Sequence, residues 1–362
     1  MAASPHALTA ANWRPGCNLS ALGIEPNIVD GMTEVSASLN HHCALAFFLL
    51  TLVAAIEARA GPADWRREWP HTDFSRHSVA YDEIFSGGPP KDGIPAIDQP
   101  NFWPVGEVKG LAPHEPVISI EIGGEARAYP LRVMIWHEIV NDTVGGTPIA
   151  VTWCPLCNSS MVFDRRAAGR TLRFGTTGKL RNSDLVMYDR ETESWWQQFG
   201  GDAIVGALLG TKLKYLPARV ESIERFRARF ASGQVLVPAD AETRAYGRNP
   251  YVGYDRADRP FLFRGAAPEG VPPLARVVAV GEEAWTLDLL KRWGRIEAGD
   301  LVMTWEMGQS SPLDTAAIDE GRDIGNVVVQ RRTDHGLEDT VYDVSFAFAF
   351  HAFHPGAAIH VE

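Results

Sequence analysis

Two Gly-Gly dipeptides, Gly123-Gly124 and Gly145-Gly146, restrict the fold of this chain more than any other feature. Glycine tolerates the positive φ that the central positions of a two-residue hairpin turn demand. The first dipeptide lies between Val117-Ile118-Ser119-Ile120-Glu121-Ile122 and Glu125-Ala126-Arg127-Ala128-Tyr129. The second lies between the segments 137–144 and 147–154. Each is read as an antiparallel β-hairpin, with one helical turn at 130–135 between them. Further short strands are expected at 160–164, 170–175, 184–189 and 213–216. The abundance of Gly, Pro and Trp suits short strands and many turns. The expected fold class is mainly β with a few short helices (α+β).

The pattern recurs. Val151-Thr152-Trp153-Cys154-Pro155-Leu156-Cys157-Asn158-Ser159-Ser160 is matched, with one deletion, by Met303-Thr304-Trp305-Glu306-Met307-Gly308-Gln309-Ser310-Ser311. Gly124 to Leu131 resembles Gly281 to Leu287, and Ala168-Gly169-Arg170 resembles Glu320-Gly321-Arg322. The order is conserved, so the chain is read as two degenerate β-rich pseudo-repeats around a shared core. The first spans 116–216 and the second 271–362. Residues 61–115, proline-rich and irregular, are expected to wrap over that core. Residues 217–270 form a linker that opens with an amphipathic helix at 219–230.

Cys154-Pro155-Leu156-Cys157 is the motif with the most chemistry. The second repeat carries Glu306 and Gly308 near these positions, so the loop does not need thiols to fold. With a two-residue turn at Gly145-Gly146, Val144 pairs with Thr147, and counting outward sets His137 across from Cys154. Opposed residues have Cβ atoms about 5 Å apart on one face, within reach of a shared metal. A fourth partner is sought in Phe346-Ala347-Phe348-Ala349-Phe350-His351-Ala352-Phe353-His354-Pro355, read as an apolar strand ending in two histidines. Residues three apart on a strand face opposite ways, and His354, beside Pro355, is the better candidate. Thiolates with imidazole select zinc or copper over magnesium or calcium. A plain disulfide and a thiol redox pair are the alternatives. The latter requires Cys154 at a helix N-terminus.

A second polar cluster, Gly175 to Asp184, ends in Arg181-Asn182-Ser183-Asp184. Arg181 and Asp184 are candidates for orienting a small polar substrate. The plainer reading is a tight loop tied by Arg181 to Asp184 or Asp189. The cluster lacks the spacing of a nucleotide-binding loop.

Residues 44–56, ALAFFLLTLVAAI, have the length of a signal-peptide core, and Ala58-Arg59-Ala60 supplies a cleavage pattern. Residues 1–60 are therefore read as an N-terminal extension plus signal peptide, giving a periplasmic or secreted protein with no transmembrane segment in its mature chain. Cys17 and Cys43 would leave with the leader, so that Cys154 and Cys157 have only each other, or a metal, as partners. A net charge of −11 argues against nucleic acid and anionic membrane surfaces as partners.

Several uncommon motifs occur in order: Tyr129-Pro130-Leu131, Trp136-His137-Glu138-Ile139-Val140-Asn141-Asp142, Cys154-Pro155-Leu156-Cys157, Leu180-Arg181-Asn182-Ser183-Asp184-Leu185, Asp189 with Thr192-Glu193-Ser194, and Trp196-Gln197-Gln198. Together they resemble a bacterial family known as domain of unknown function 3179, over most of residues 70–360. The family's aromatic C-terminal block, in which Trp often stands at the position of His351, favours His354 as the site residue. The resemblance implies membership and supplies no reaction. Two functions follow from the residues. One is a metal-dependent enzyme of the cell envelope, with His137, Cys154, Cys157 and His354 around the ion. The other is a non-catalytic envelope binding protein with a structural Cys pair. A thiol-disulfide oxidoreductase is the third reading.

Overall fold

Both Gly-Gly turns close the hairpins that the alternation predicts. In the computed structural model, which describes residues 61–362, strand Pro116–Ile122 pairs with Glu125–Pro130, and Ile139–Val144 pairs with Thr147–Cys154. Val144 opposes Thr147 and Ile139 opposes Thr152, the register expected of a two-residue turn. The helix Leu131–Met134 stands between the hairpins. The hairpins are fastened together by Asp142. Its carboxylate accepts from the Arg127 guanidinium and from the buried Tyr129 hydroxyl, each at 2.6 Å.

Around these hairpins the chain is mainly β. Five small sheets of four or five strands form a five-bladed, propeller-like arrangement, and the helices are short. The pseudo-repeats are visible in the connections. The first hairpin is flanked by Arg219–Ser222, antiparallel to its first strand, and by Gln234–Val237, parallel to its second; helix Ile223–Arg229 joins the two. In the second half, hairpin Arg276–Val280/Glu283–Thr286 is flanked by Asp343–Phe346 and Ala358–His360 in the same senses, joined by helix Ala347–Phe353. A three-stranded meander follows each hairpin blade: Ile139–Val144, Thr147–Cys154 and Ser159–Asp164 in one, Arg295–Ala298, Leu301–Glu306 and Asn326–Thr333 in the other. Cys154 and Glu306 each end the middle strand of their meander, opposite Ser159 and Asn326.

The fifth sheet belongs to the first half alone. Strands Phe174–Arg181, Asp184–Asp189, Trp195–Gln197 and Ala203–Val205 follow the first meander, with Ile84–Ser86 added at the edge. Trp65 and Trp69 pack on this sheet, with ring centroids 5.1 and 5.2 Å from that of Trp195. Strand Asn101–Pro104 adds to the edge of the first hairpin blade.

Two local expectations are corrected. The helix expected over 219–230 begins only at Ile223. Residues Arg219–Ser222 extend a sheet, and Ser222 caps the helix by accepting from the Arg225 N–H. The C-terminal aromatic run is a strand only as far as Phe346. Ala347–Phe353 is a helix, with His354 at its end, so the argument that residues 351 and 354 face opposite ways does not hold. The candidate signal sequence and its cleavage point lie outside the described residues. Among the described residues, no helix is long and apolar enough to cross a membrane.

Gly145 does more than turn. It has φ +52°, and a Cβ there would sit 2.2 Å from the carbonyl oxygen of Ile122 in the neighbouring hairpin, whereas Gly146, at φ +75°, faces open space. Gly146→Ala should therefore cost about 1 kcal/mol, the left-handed penalty alone. Gly145→Ala should cost about 2 kcal/mol or more, because the hairpins must also move apart. Urea unfolding of the two variants checks this, and equal losses would show that the turns do not touch.

Candidate metal centre

Strand Thr147–Cys154 turns back into Ser159–Asp164 through Pro155-Leu156-Cys157-Asn158. Asn158, with φ +52°, takes the left-handed conformation, and its side-chain amide donates to the Val344 carbonyl at 2.9 Å. The Phe346 N–H donates to the Cys157 carbonyl at 2.8 Å, and the Tyr254 hydroxyl to that of Leu156 at 3.0 Å. The loop is thus pinned on both sides, and both thiols point inward as free cysteines.

The partner comes from the sheet without a counterpart. Strands Phe174–Arg181 and Asp184–Asp189 join through Asn182-Ser183, both at positive φ (52° and 64°), as a type I′ turn requires. Asp184 starts the returning strand beneath the cysteine loop. The two thiol sulfurs and a carboxylate oxygen of Asp184 all lie within 4.8 Å of one another, and none of the three residues is more than 2% exposed. Asp184 Oδ2 accepts from the Gln197 side-chain amide at 2.6 Å and from the Phe199 N–H at 2.8 Å. The Cys154 thiol donates to the Ser183 carbonyl at 3.7 Å.

The electrostatics are those of a buried, acid-rich pocket. Burial pushes the Asp184 carboxyl up to about 6, although its hydrogen bonds from Phe199, Gln197 and the thiols pull the other way. Burial also raises both thiols, Cys157 well above the usual range. Glu138 is close enough for its charge to act on Asp184 and Cys154, and burial, with Asp184 adding, pushes it up to about 8. Two thiols and a carboxylate are a donor set that a divalent cation such as zinc accepts. Zinc takes thiolate and carboxylate ligands at about 2.0–2.3 Å, which sets ligand atoms about 3.3–3.8 Å apart in a tetrahedron, so only a small closure is needed.

The structure does not bring the two histidines into this cluster. Glu138 adopts φ +58°, so the chain leaves the sheet just beyond Ile139, and His137 does not pair with Cys154. Both His137 ring nitrogens are occupied, at 2.7 Å from the Pro95 carbonyl and 2.8 Å from the Tyr246 hydroxyl. His354 stacks on Phe350, with ring centroids 5.0 Å apart. Neither imidazole nitrogen lies within 4.8 Å of all three ligating atoms. Arg181 pairs with Glu83 at 2.7 Å and not with Asp184, its direct cross-strand neighbour. Asp184 lies beside the two thiols, where it is a candidate metal ligand. No helix begins at Cys154, and the thiol pKa values are raised, so the requirements of a thioredoxin-like redox pair are not met.

The family described as protein of unknown function (DUF3179) matches residues 91–357. The chain belongs to this family. Cys154, Cys157 and Asp184 all lie within the matched span, as does Glu138. No curated protein matches the chain, and no solved structure does. The family's description assigns no activity, so the chemistry must be argued from the site.

Glu138 was missed as a site residue. It stands in the Trp136-His137-Glu138 motif beside the more conspicuous histidine, and only the backbone turn at Glu138 decides which of the two faces inward. Its protonation gives a test. The folded carboxyl titrates near pH 8 and the unfolded one near 4.5, so the native state holds the extra proton between these values. Stability from this group is therefore full below about pH 4.5 and falls as pH rises towards 8. In chelator-treated protein, Glu138→Gln should lose less unfolding free energy between about pH 5 and pH 8 than wild type does. Equal losses in urea titrations at the two pH values would mean that the carboxyl is not buried as described.

Proposed function

We propose that this is an exported zinc protein in which Cys154, Cys157 and Asp184 hold the ion, and that it acts as a metal-dependent enzyme on a small polar substrate. The observation that carries this reading is the convergence of two thiols and one carboxylate, from two different sheets, within 4.8 Å in a buried pocket. The hydrogen-bond partners of Asp184 are neutral amide, hydroxyl and thiol groups, so a cation would be the counter-charge that the pocket lacks. The carboxylate favours zinc over copper(I). Asp is an established zinc ligand but a poor one for copper(I), which prefers thiolates and thioethers.

Three protein ligands leave one position of a tetrahedron open, the arrangement of catalytic zinc, where the ion activates water or polarises a carbonyl. Glu138, raised to about 8, is poised to give or take a proton near neutral pH. Export, read from residues 44–60, supports a metal here as well, since two unprotected thiols would oxidise in that compartment. The near-complete burial of all three ligands favours a second reading, in which the ion only staples the cysteine loop to the Asp184 strand.

Metal analysis tests the proposal. Protein purified anaerobically should contain about one zinc per chain, reduced at least tenfold in Cys154→Ser and Asp184→Asn and unchanged in His137→Ala. Metal-free wild-type protein would overturn it. In the cobalt-substituted protein, azide should shift the visible bands if the fourth position is open, and an unchanged spectrum would support the staple.

A further inference from the structure

Residues of all five sheets line an open cavity of about 840 Å³. This volume lies in the range of small-molecule sites, which are mostly apolar with a few placed polar groups. The cavity is not the thiol pocket. Cys154, Cys157 and Asp184 are absent from its lining, whereas Gln197 and Phe199, which hold Asp184, contribute to it.

One group in the wall is built for a partner it does not have. Asp343 is buried, and its Oδ1 accepts from the Ser160 N–H at 3.1 Å. Its Oδ2, buried as well, meets no donor in good hydrogen-bonding geometry, although the Ser345 hydroxyl acts on the carboxyl. Leaving a buried carboxylate oxygen unpaired costs about 1–3 kcal/mol, which a ligand hydroxyl would recover. Burial pushes this carboxyl up to about 7, so that near neutrality it can donate as well as accept. Close by in the wall, the Gln197 side-chain carbonyl has only a long contact, 3.5 Å, to Arg181.

The charges exclude an anionic ligand. Every Lys or Arg in the lining already has a carboxylate: Arg181 has Glu83 at 2.7 Å, Lys212 has Asp202 at 3.6 Å, Arg219 has Asp339, and Arg331 has Asp300. Burial lowers the pKa of His354, which is therefore neutral at pH 7. An organic acid would have to displace one of those carboxylates. Apolar surface is available instead. Phe353, stacked on Phe199 with ring centroids 4.7 Å apart and with the Arg181 guanidinium 5.7 Å from its centroid, and Tyr215 both stand in the wall. Aromatic faces beside carboxyl, guanidinium and amide groups suit a molecule with a C–H face and a rim of hydroxyls.

We propose that this cavity is a binding site for a neutral polyhydroxylated molecule of sugar or cyclitol type, with Asp343, Gln197 and Arg181 hydrogen-bonding its hydroxyls and Phe353 and Tyr215 giving apolar contact to its C–H groups. Saturation-transfer NMR on the full chain, with cellobiose, trehalose and myo-inositol set against citrate and inorganic phosphate, tests it. At least one hydroxylated probe should bind, with citrate and phosphate giving no transfer. Asp343→Asn keeps an acceptor for the Ser160 N–H, so the fold is retained while binding weakens by about tenfold. Phe353→Ala should weaken it comparably. Absence of transfer from all three hydroxylated probes, binding of the anions alone, or unchanged affinity in both variants would overturn the proposal. Zinc content measured on the same preparations keeps this test separate from that of the metal centre, because the cavity can bind its ligand whether or not zinc is found.

Discussion

The buried carboxylate of Asp184 is the constraint around which the first half of the molecule is arranged. A carboxylate at 0% exposure is costly unless its lone pairs are met. Here the Gln197 amide and the Phe199 N–H meet Oδ2, which fixes the strand Trp195–Gln197 and its exit against the start of strand Asp184–Asp189. The same residues shape the wall of the cavity, and the thiol loop lies against Asp184. A single buried acid thus ties together three neighbouring features: the cysteine loop, the sheet found only in the first half, and the cavity wall.

Much of the architecture could be read before any coordinates. Gly-Gly turns between alternating segments specify both the hairpins and their register, because a two-residue turn leaves no freedom in the pairing. The duplication was legible from the Trp153/Trp305 segments, and both tryptophans lie in the middle strands of equivalent meanders. What the local pattern could not supply was the end of a strand. His137 was counted outward from a correct register, but the register ends at Ile139, where the helix Leu131–Met134 gives way to the sheet through the left-handed Glu138. Non-glycine residues at positive φ leave little trace in a sequence.

The aromatic C-terminus failed for a related reason. Alternating Phe and Ala reads as a strand by period, yet Ala347–Phe353 is a helix buried on several sides. The duplication held the answer. Residues 223–229 carry a helical pattern, and 347–353 occupy the equivalent connection between an antiparallel and a parallel strand. Asp184 is legible in the sequence as a polar residue with chemistry to offer, but its place beside the two thiols depends on a contact between two sheets, which no local pattern encodes.

The second meander provides an internal reference for the first. It keeps the antiparallel pairing and the tryptophan, ends its middle strand in Glu306, and has no counterpart of the sheet that delivers Asp184. In it, Glu306 is exposed and paired with Arg225 on the surface, where Cys154 is sealed inside. Whatever both meanders share belongs to the scaffold, and whatever only the first possesses arose on a frame that was already stable without it. The two thiols are thus an addition to the meander that both halves share, set beside an acid that the first half also uses to join its sheets.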